Sequence, residues 1–209
     1  YGGGVENPIN ALADIISKLK SPEGKILIDG FYDDVTNLTE NERLELNKLP
    51  INIEAYKKDL GINSIKVEDG YTLVESTTAR PTLDCNGIWG GYQGKGTKTI
   101  IPSQAGAKIS MRLVPNQSPE KVAKLFEKYI QKIAPDSIKV KVTYLHGGKP
   151  SVTQMDTPAI KAAMSALKKG FEAEPVFIKE GGSIPIVSVF EKELGADVIL
   201  MGFGLPDDN

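Results

Sequence analysis

Residues 80–115 read RPTLDCNGIWGGYQGKGTKTIIPSQAGAKISMRLVP, and the architecture of the chain follows from them. From Thr82 onward the pattern is β. A glycine-rich turn region through Gly90, Gly91 and Gly96 interrupts it, and residues 108–113 then alternate strictly. Side chains two apart in a strand share a face, so Ile109, Met111 and Leu113 point inward. Lys108, Ser110 and Arg112 take the outer face, which displays a fork-shaped anion binder away from the core.

Beyond this stretch, Ser118-Pro119 caps a helix whose buried face carries Val122, Leu125, Phe126, Tyr129, Ile130 and Ile133. Ile138, Val140, Val142 and Tyr144 predict a further alternating strand that ends at His146-Gly147-Gly148. Upstream, Asn7-Pro8 opens a helix with Ile9, Leu12, Ile15, Ile16 and Leu19 on one stripe. Residues 25–28 predict a short strand. Thr39 with Glu42 spells a capping box, a second short helix is expected over 53–60, and 61–79 reads as a loop with some extended tendency. The fold class is α+β: an antiparallel sheet with helices on one face.

The last quarter differs in style. Thr157-Pro158 caps a helix to about residue 169, with Gly170 as its stop. A strand over 174–179, a helix over 184–194 ended by Gly195, and an apolar strand over 196–201 give a βαβ rhythm. That rhythm predicts a buried parallel pair in a different sheet. The expected domains are therefore 1–156 and a short α/β segment, 157–209, of about 50 residues, too few for a comfortable core of its own.

Composition bounds function. The 209 residues are 40% hydrophobic and 25% charged with a net charge of −2, which gives no general electrostatic case for nucleic acid or an acidic membrane. No apolar run approaches the roughly 20 residues of a membrane span, and no secretory signal opens the chain. A single cysteine rules out an intrachain disulfide framework and fits a reducing cytoplasm. The start at Tyr1-Gly2-Gly3-Gly4 is not an initiation site and implies a piece of a larger protein.

A catalytic zinc site takes three protein ligands, and His146 is the only imidazole. Asp33-Asp34 and Asp207-Asp208 are adjacent acids, which usually form turns or face solvent, so this chain alone is expected to bind no metal. Ser165 and Lys168 match an S-x-x-K spelling inside a helix, where a solvated face explains them. Cys85 reads as a packed small residue rather than a nucleophile. The glycines after Trp89 lack the lysine ending of a phosphate-binding loop. Three features remain open to two readings each. Arg112 is a surface charge or a bidentate grip on a substrate carboxylate. His146 caps local backbone or donates to a developing oxyanion. Glu180-Gly181-Gly182-Ser183 is a tight turn or a backbone cradle for a carboxylate or peptide oxygen.

The segments YGG-V-NP, GFYDDV, RPTLDCNGIWGGY, GTKTIIPSQAGAKISMRLVPN, HGGKP, EGGSIPIV and MGFGLPDDN occur in one order along nearly the whole chain. In that order they resemble the M20 family of dinuclear metal-dependent dipeptidases and deacylases, in its carnosinase-like branch. The resemblance implies a catalytic domain with two zinc or manganese ions and an inserted lid that builds a homodimer. It places residues 1–156 in the lid and 157–209 at the start of the returning half of the catalytic domain. It further implies that Arg112 holds the substrate carboxylate and that Ser183 and Gly182, with Glu180, form a substrate-contacting turn beside the metals. Thr99 would reach into the partner subunit's site and His146 would polarise the scissile carbonyl.

The reaction implied is metal-assisted hydrolysis of dipeptides or related amides, in the cytoplasm. Most of the family's metal ligands and its general base have no counterpart in this chain, so the chain by itself is expected to be inactive. Two rivals stand beside it: an M20 deacylase or desuccinylase of N-acyl amino acids, and a stand-alone dimerisation or binding module.

Overall fold

Nine elements follow one another in a computed structural model of the chain, which describes residues 1–49, 51–153, 155–179 and 186–203. They are α1 (Pro8–Ser17), α2 (Glu40–Leu46), α3 (Ile53–Leu60), α4 (Leu73–Thr78), β1 (Thr82–Gly90), β2 (Ala105–Arg112), α5 (Pro119–Ile133), α6 (Pro158–Phe171) and α7 (Ile186–Leu194).

The hairpin β1–β2 is antiparallel, with Thr82 opposite Arg112, Leu83 opposite Met111 and Trp89 opposite Gly106. Between Cys85 and Gly87 the register shifts, a bulge that leaves Asn86 without a partner. On the near side of the bulge Leu83 is buried, whereas Ile88 and Trp89 beyond it are exposed. Gly106 lies directly under Trp89, and a Cβ there would collide with the indole.

Alternation in β2 is as the sequence predicts: Ile109 and Met111 are half-buried, and Lys108, Ser110 and Arg112 are exposed. The core gathers Ile15, Leu19, Ile26, Ile28, Phe31, Leu83, Val122, Tyr129 and Ile130. It joins α1 and α5 to the hairpin, which gives the α+β layering. Tyr129 reaches across it and donates its hydroxyl to the Lys18 carbonyl at 2.9 Å. Gln117 is buried and satisfied at both ends, accepting from the Val114 amide and donating to the Phe31 carbonyl.

Caps decide the helix starts. Asn7 accepts from the Ile9 amide, Ser118 from Lys121 and Thr157 from Ile160. Thr39 and Glu42 form the expected reciprocal box.

Five expectations need correction. Residues 25–28 form only an isolated bridge, Ile26 to Lys20, because four residues give too short a ladder. Residues 61–79 contain a helix, α4, opened by a second capping box of Thr72 and Glu75. Gly170 lies inside α6, and the left-handed stop falls on Glu172, with φ 53°. Cys85 is exposed rather than packed, at the edge of the bulge, with its Sγ 3.4 Å from the Gly87 carbonyl.

The fifth concerns strands. Among the described residues the sheet has two strands only. Ile138, Val140 and Val142 still pack on the core with exposed Lys139 and Lys141 between them, but no neighbouring backbone completes a ladder. Neither 174–179 nor 196–201 forms a strand, and Val176, Ile178 and Leu200 are exposed. A parallel pair requires cover on both faces, which the described residues do not supply.

Candidate substrate-binding site

Arg112 ends β2 with its side chain exposed, and its Nη1 donates to the Thr77 carbonyl at 3.2 Å. Thr77 lies in the last turn of α4, where backbone carbonyls lack partners within the helix. Among the described residues Arg112 forms no ion pair, so its remaining N–H donors suit a carboxylate.

The anchor of Arg112 is only as firm as α4, and α4 is braced by charge. Glu75 is fully buried. Its carboxylate accepts from Arg43 Nε at 2.7 Å and Nη2 at 2.8 Å, and from the Thr72 amide at 2.9 Å. The Arg43 hydrogen bond holds the Glu75 carboxyl below its usual range, against the opposing effect of burial. A second fork joins Arg80, just before β1, to Glu68 at 2.8 and 2.9 Å. Burial opposes the charge of Arg80, and Glu68 overcomes it, raising its pKa. Tyr71 sits between the two forks, with Arg80 4.2 Å and Arg43 5.5 Å from its ring centroid.

This cluster was missed in the sequence, although Thr72-Leu73-Val74-Glu75 repeats the capping spelling of Thr39-Glu40-Asn41-Glu42.

His146 is exposed on the segment that follows Val142. Its neighbour Gly147 packs so closely on the first turn of α5 that a Cβ would come within 2.6 Å of Pro119 Cβ. Arg112 precedes Ser118, the cap of the same helix, by six residues. Each is thus tied to the start of α5 by the chain, His146 through the packing of its neighbour Gly147 and Arg112 through the six-residue link to the cap. Thr99 is not with them. It lies in the exposed loop at the opposite end of the hairpin, about 24 Å of strand away at the usual rise per residue. Its neighbours Lys98 and Ile100 line an open cleft of about 470 Å³ with Trp89 and Tyr92. Glu180, Gly182 and Ser183 lie outside the described residues, as does Asp207-Asp208.

The other candidates resolve simply. Asp34 pairs with Lys121 at 2.6 Å, and Lys168 pairs with Glu174. Among the described residues no group of three or more His, Cys, Asp or Glu could hold a metal ion.

Lys179 reaches back to α2, where its Nζ donates to Glu42 at 2.8 Å. That bond, with the Thr39 amide, lowers the Glu42 pKa to about 2 from 4.5. A depressed carboxyl stabilises the fold above its unfolded pKa, and the gain disappears as pH falls through the folded value. Glu42→Gln keeps the capping geometry and removes the charge. Its stability deficit in urea unfolding is expected to be constant above pH 5 and to vanish between pH 4.5 and about 2. Solvent screening of a carboxylate that is 36% exposed limits the deficit to about 1 kcal/mol. A pH-independent deficit would show that the pair does not form.

A family model described as the peptidase dimerisation domain of M20 enzymes matches residues 1–138. The chain is 31% identical to the Cys-Gly metallodipeptidase dug1 of Schizosaccharomyces pombe, over all of this chain and 44% of that protein. The structure of the dipeptidase Dug1p from Saccharomyces cerevisiae superposes with a TM-score of 0.85 at 30% identity, over 99% of this chain and 44% of the other. That of the M20 family metallo-carboxypeptidase Sso-CP2 from Sulfolobus solfataricus gives 0.81 at 38% identity, over 92% of this chain and 50% of the other. The chain therefore spans half or less of the length of these relatives. With the family model and the fold in agreement over its larger part, the chain belongs to the M20 peptidase family, through that family's dimerisation domain.

Proposed function

We propose that the chain supplies the substrate-carboxylate clamp and the subunit-pairing surface of a cytoplasmic, metal-dependent dipeptidase acting on dipeptides or related amides. The observation that carries this reading is Arg112. It is turned to solvent and donates to the neutral Thr77 carbonyl, which leaves its other N–H donors for an anion. The relatives named above are a dipeptidase and a carboxypeptidase, and the carboxylate at a peptide's C-terminus is what a guanidinium fork grips.

Residues 1–156 form the lid and 157–209 part of the catalytic domain in this reading. The two metal ions, zinc or manganese, belong in this reading to the intact protein, with most of their ligands on the part of it that this chain does not span. Glu180, Gly182 and Ser183 belong to the substrate turn. Thr99, far from Arg112 in its own protomer, joins the site of the partner in a homodimer. His146 donates a hydrogen bond to the scissile carbonyl oxygen as charge develops there.

The test uses the intact protein. Dipeptide hydrolysis should be lost on chelation and return with zinc or manganese; cleavage of N-acyl amino acids without any dipeptide would replace the reading with a deacylase. His146→Ala should lower kcat about 100-fold with metal content unchanged. A variant that loses metal would overturn the assigned role.

A further inference from the structure

We infer that Glu75 is a positioning residue for substrate binding: through Arg43 and α4 it fixes the Thr77 carbonyl that aims the Arg112 guanidinium. The inference rests on the reading of Arg112 as the carboxylate clamp and adds what sets that clamp's direction.

Three observations carry it. First, Glu75 is fully buried yet charged, at a position where an apolar side chain would fill the space without desolvating a carboxylate. A charge in such a place specifies geometry, because its partners must meet it from fixed directions. Those partners are the Arg43 fork and the Thr72 amide, which define where α4 begins and how it is rotated.

Second, α4 has only six residues, too short to hold its shape without outside contacts. Its other end continues into Arg80, which is clamped by Glu68 and stacked on the same Tyr71 ring that Arg43 faces. The helix is thus held at both ends by two forks that share one aromatic spacer.

Third, the carbonyl presented at the end of that helix is, among the described residues, the hydrogen-bond partner of Arg112, and Arg112 faces Thr82 at the very start of β1. The same short link, residues 78–82, therefore joins the brace to the strand that pairs with the clamp. Arg112 has many rotamers and, among the described residues, no opposing carboxylate, so the Thr77 contact is what narrows its range before substrate arrives. Loosening α4 returns that freedom and weakens the grip without removing any group that touches substrate.

The experiment compares a dipeptide with its C-terminal amide on the intact protein, using Glu75→Gln, Arg112→Ala and the double variant. Glu75→Gln keeps size and the Thr72 cap and removes the charge that binds Arg43. KM for the dipeptide should rise about tenfold with kcat changed less than threefold, and the amide should be hydrolysed as by the unaltered protein. In the Arg112→Ala background Glu75→Gln should add no further loss, and Glu75→Asp should restore part of the single-variant defect.

If Arg112→Ala impairs dipeptide hydrolysis while folded Glu75→Gln behaves normally, this inference fails and the clamp stands. Equal losses on dipeptide and amide would mean a merely structural role and also overturn it. If Arg112→Ala has no effect, the clamp itself is wrong and the inference falls with it. Should Glu75→Gln not fold, Arg43→Gln, which opens the same fork from its exposed side, is read by the same criteria.

Discussion

Arg112→Ala in the intact protein should lower kcat/KM for a dipeptide by about 100-fold or more, the scale of removing one member of a desolvated, hydrogen-bonded charge pair. The reasoning is geometric. In the proposed clamp two parallel N–H groups would meet the substrate carboxylate; with alanine, that carboxylate would enter the site without a partner. Arg112→Lys should recover only a fraction, because an ammonium cannot supply the fork. Thermal unfolding should be nearly unchanged in both, since Arg112 is exposed and gives the fold only the Thr77 contact. Steady-state kinetics with dipeptide over a range of concentrations decides it. Unaltered kcat/KM would remove Arg112 from the site.

The largest effect on stability should come from Phe31→Ala, about 3–5 kcal/mol in urea unfolding. Phe31 is 2% exposed and sits in the central cluster, edge-on to Tyr32 with ring centroids 5.3 Å apart. Its removal leaves a hole bounded by several elements that cannot all close in at once. The damage should also spread. The Phe31 carbonyl accepts from Gln117, and Gln117 in turn holds the Val114 amide in the turn between β2 and α5. Backbone movement around a cavity at residue 31 therefore reaches the turn that follows Arg112. A deficit under about 1.5 kcal/mol would mean that the core collapses around the gap far better than its packing implies.

How much of this was legible depended on whether the cause is local. Caps are local, and Asn7, Thr39 and Ser118 open their helices where the residues say they should. The facing of β2 is local too, so Arg112 could be placed outward from alternation alone. Helix α4 carried a local signal, Thr72 with Glu75, that the polar residues around it obscured.

What could not be read was pairing. Ile138, Val140 and Val142 turn toward the core as their spacing requires, yet strand formation depends on a second backbone. The anchoring of Arg112 spans 35 positions and requires α4 to be placed first. The packing of the segment after His146 on the start of α5 depends on the contact between Gly147 and Pro119, which no periodicity announces.

The hairpin has a further consequence. Among the described residues each strand is paired along one margin only, and such open margins invite indiscriminate annealing between molecules. Charged side chains along a ribbon discourage this, and β2 carries Lys108 and Arg112 among its exposed positions, with Asp84 on β1 tied to Lys20. The guanidinium that would greet a substrate thereby doubles as a guard against self-adhesion, and its loss would be felt in solubility as well as in turnover.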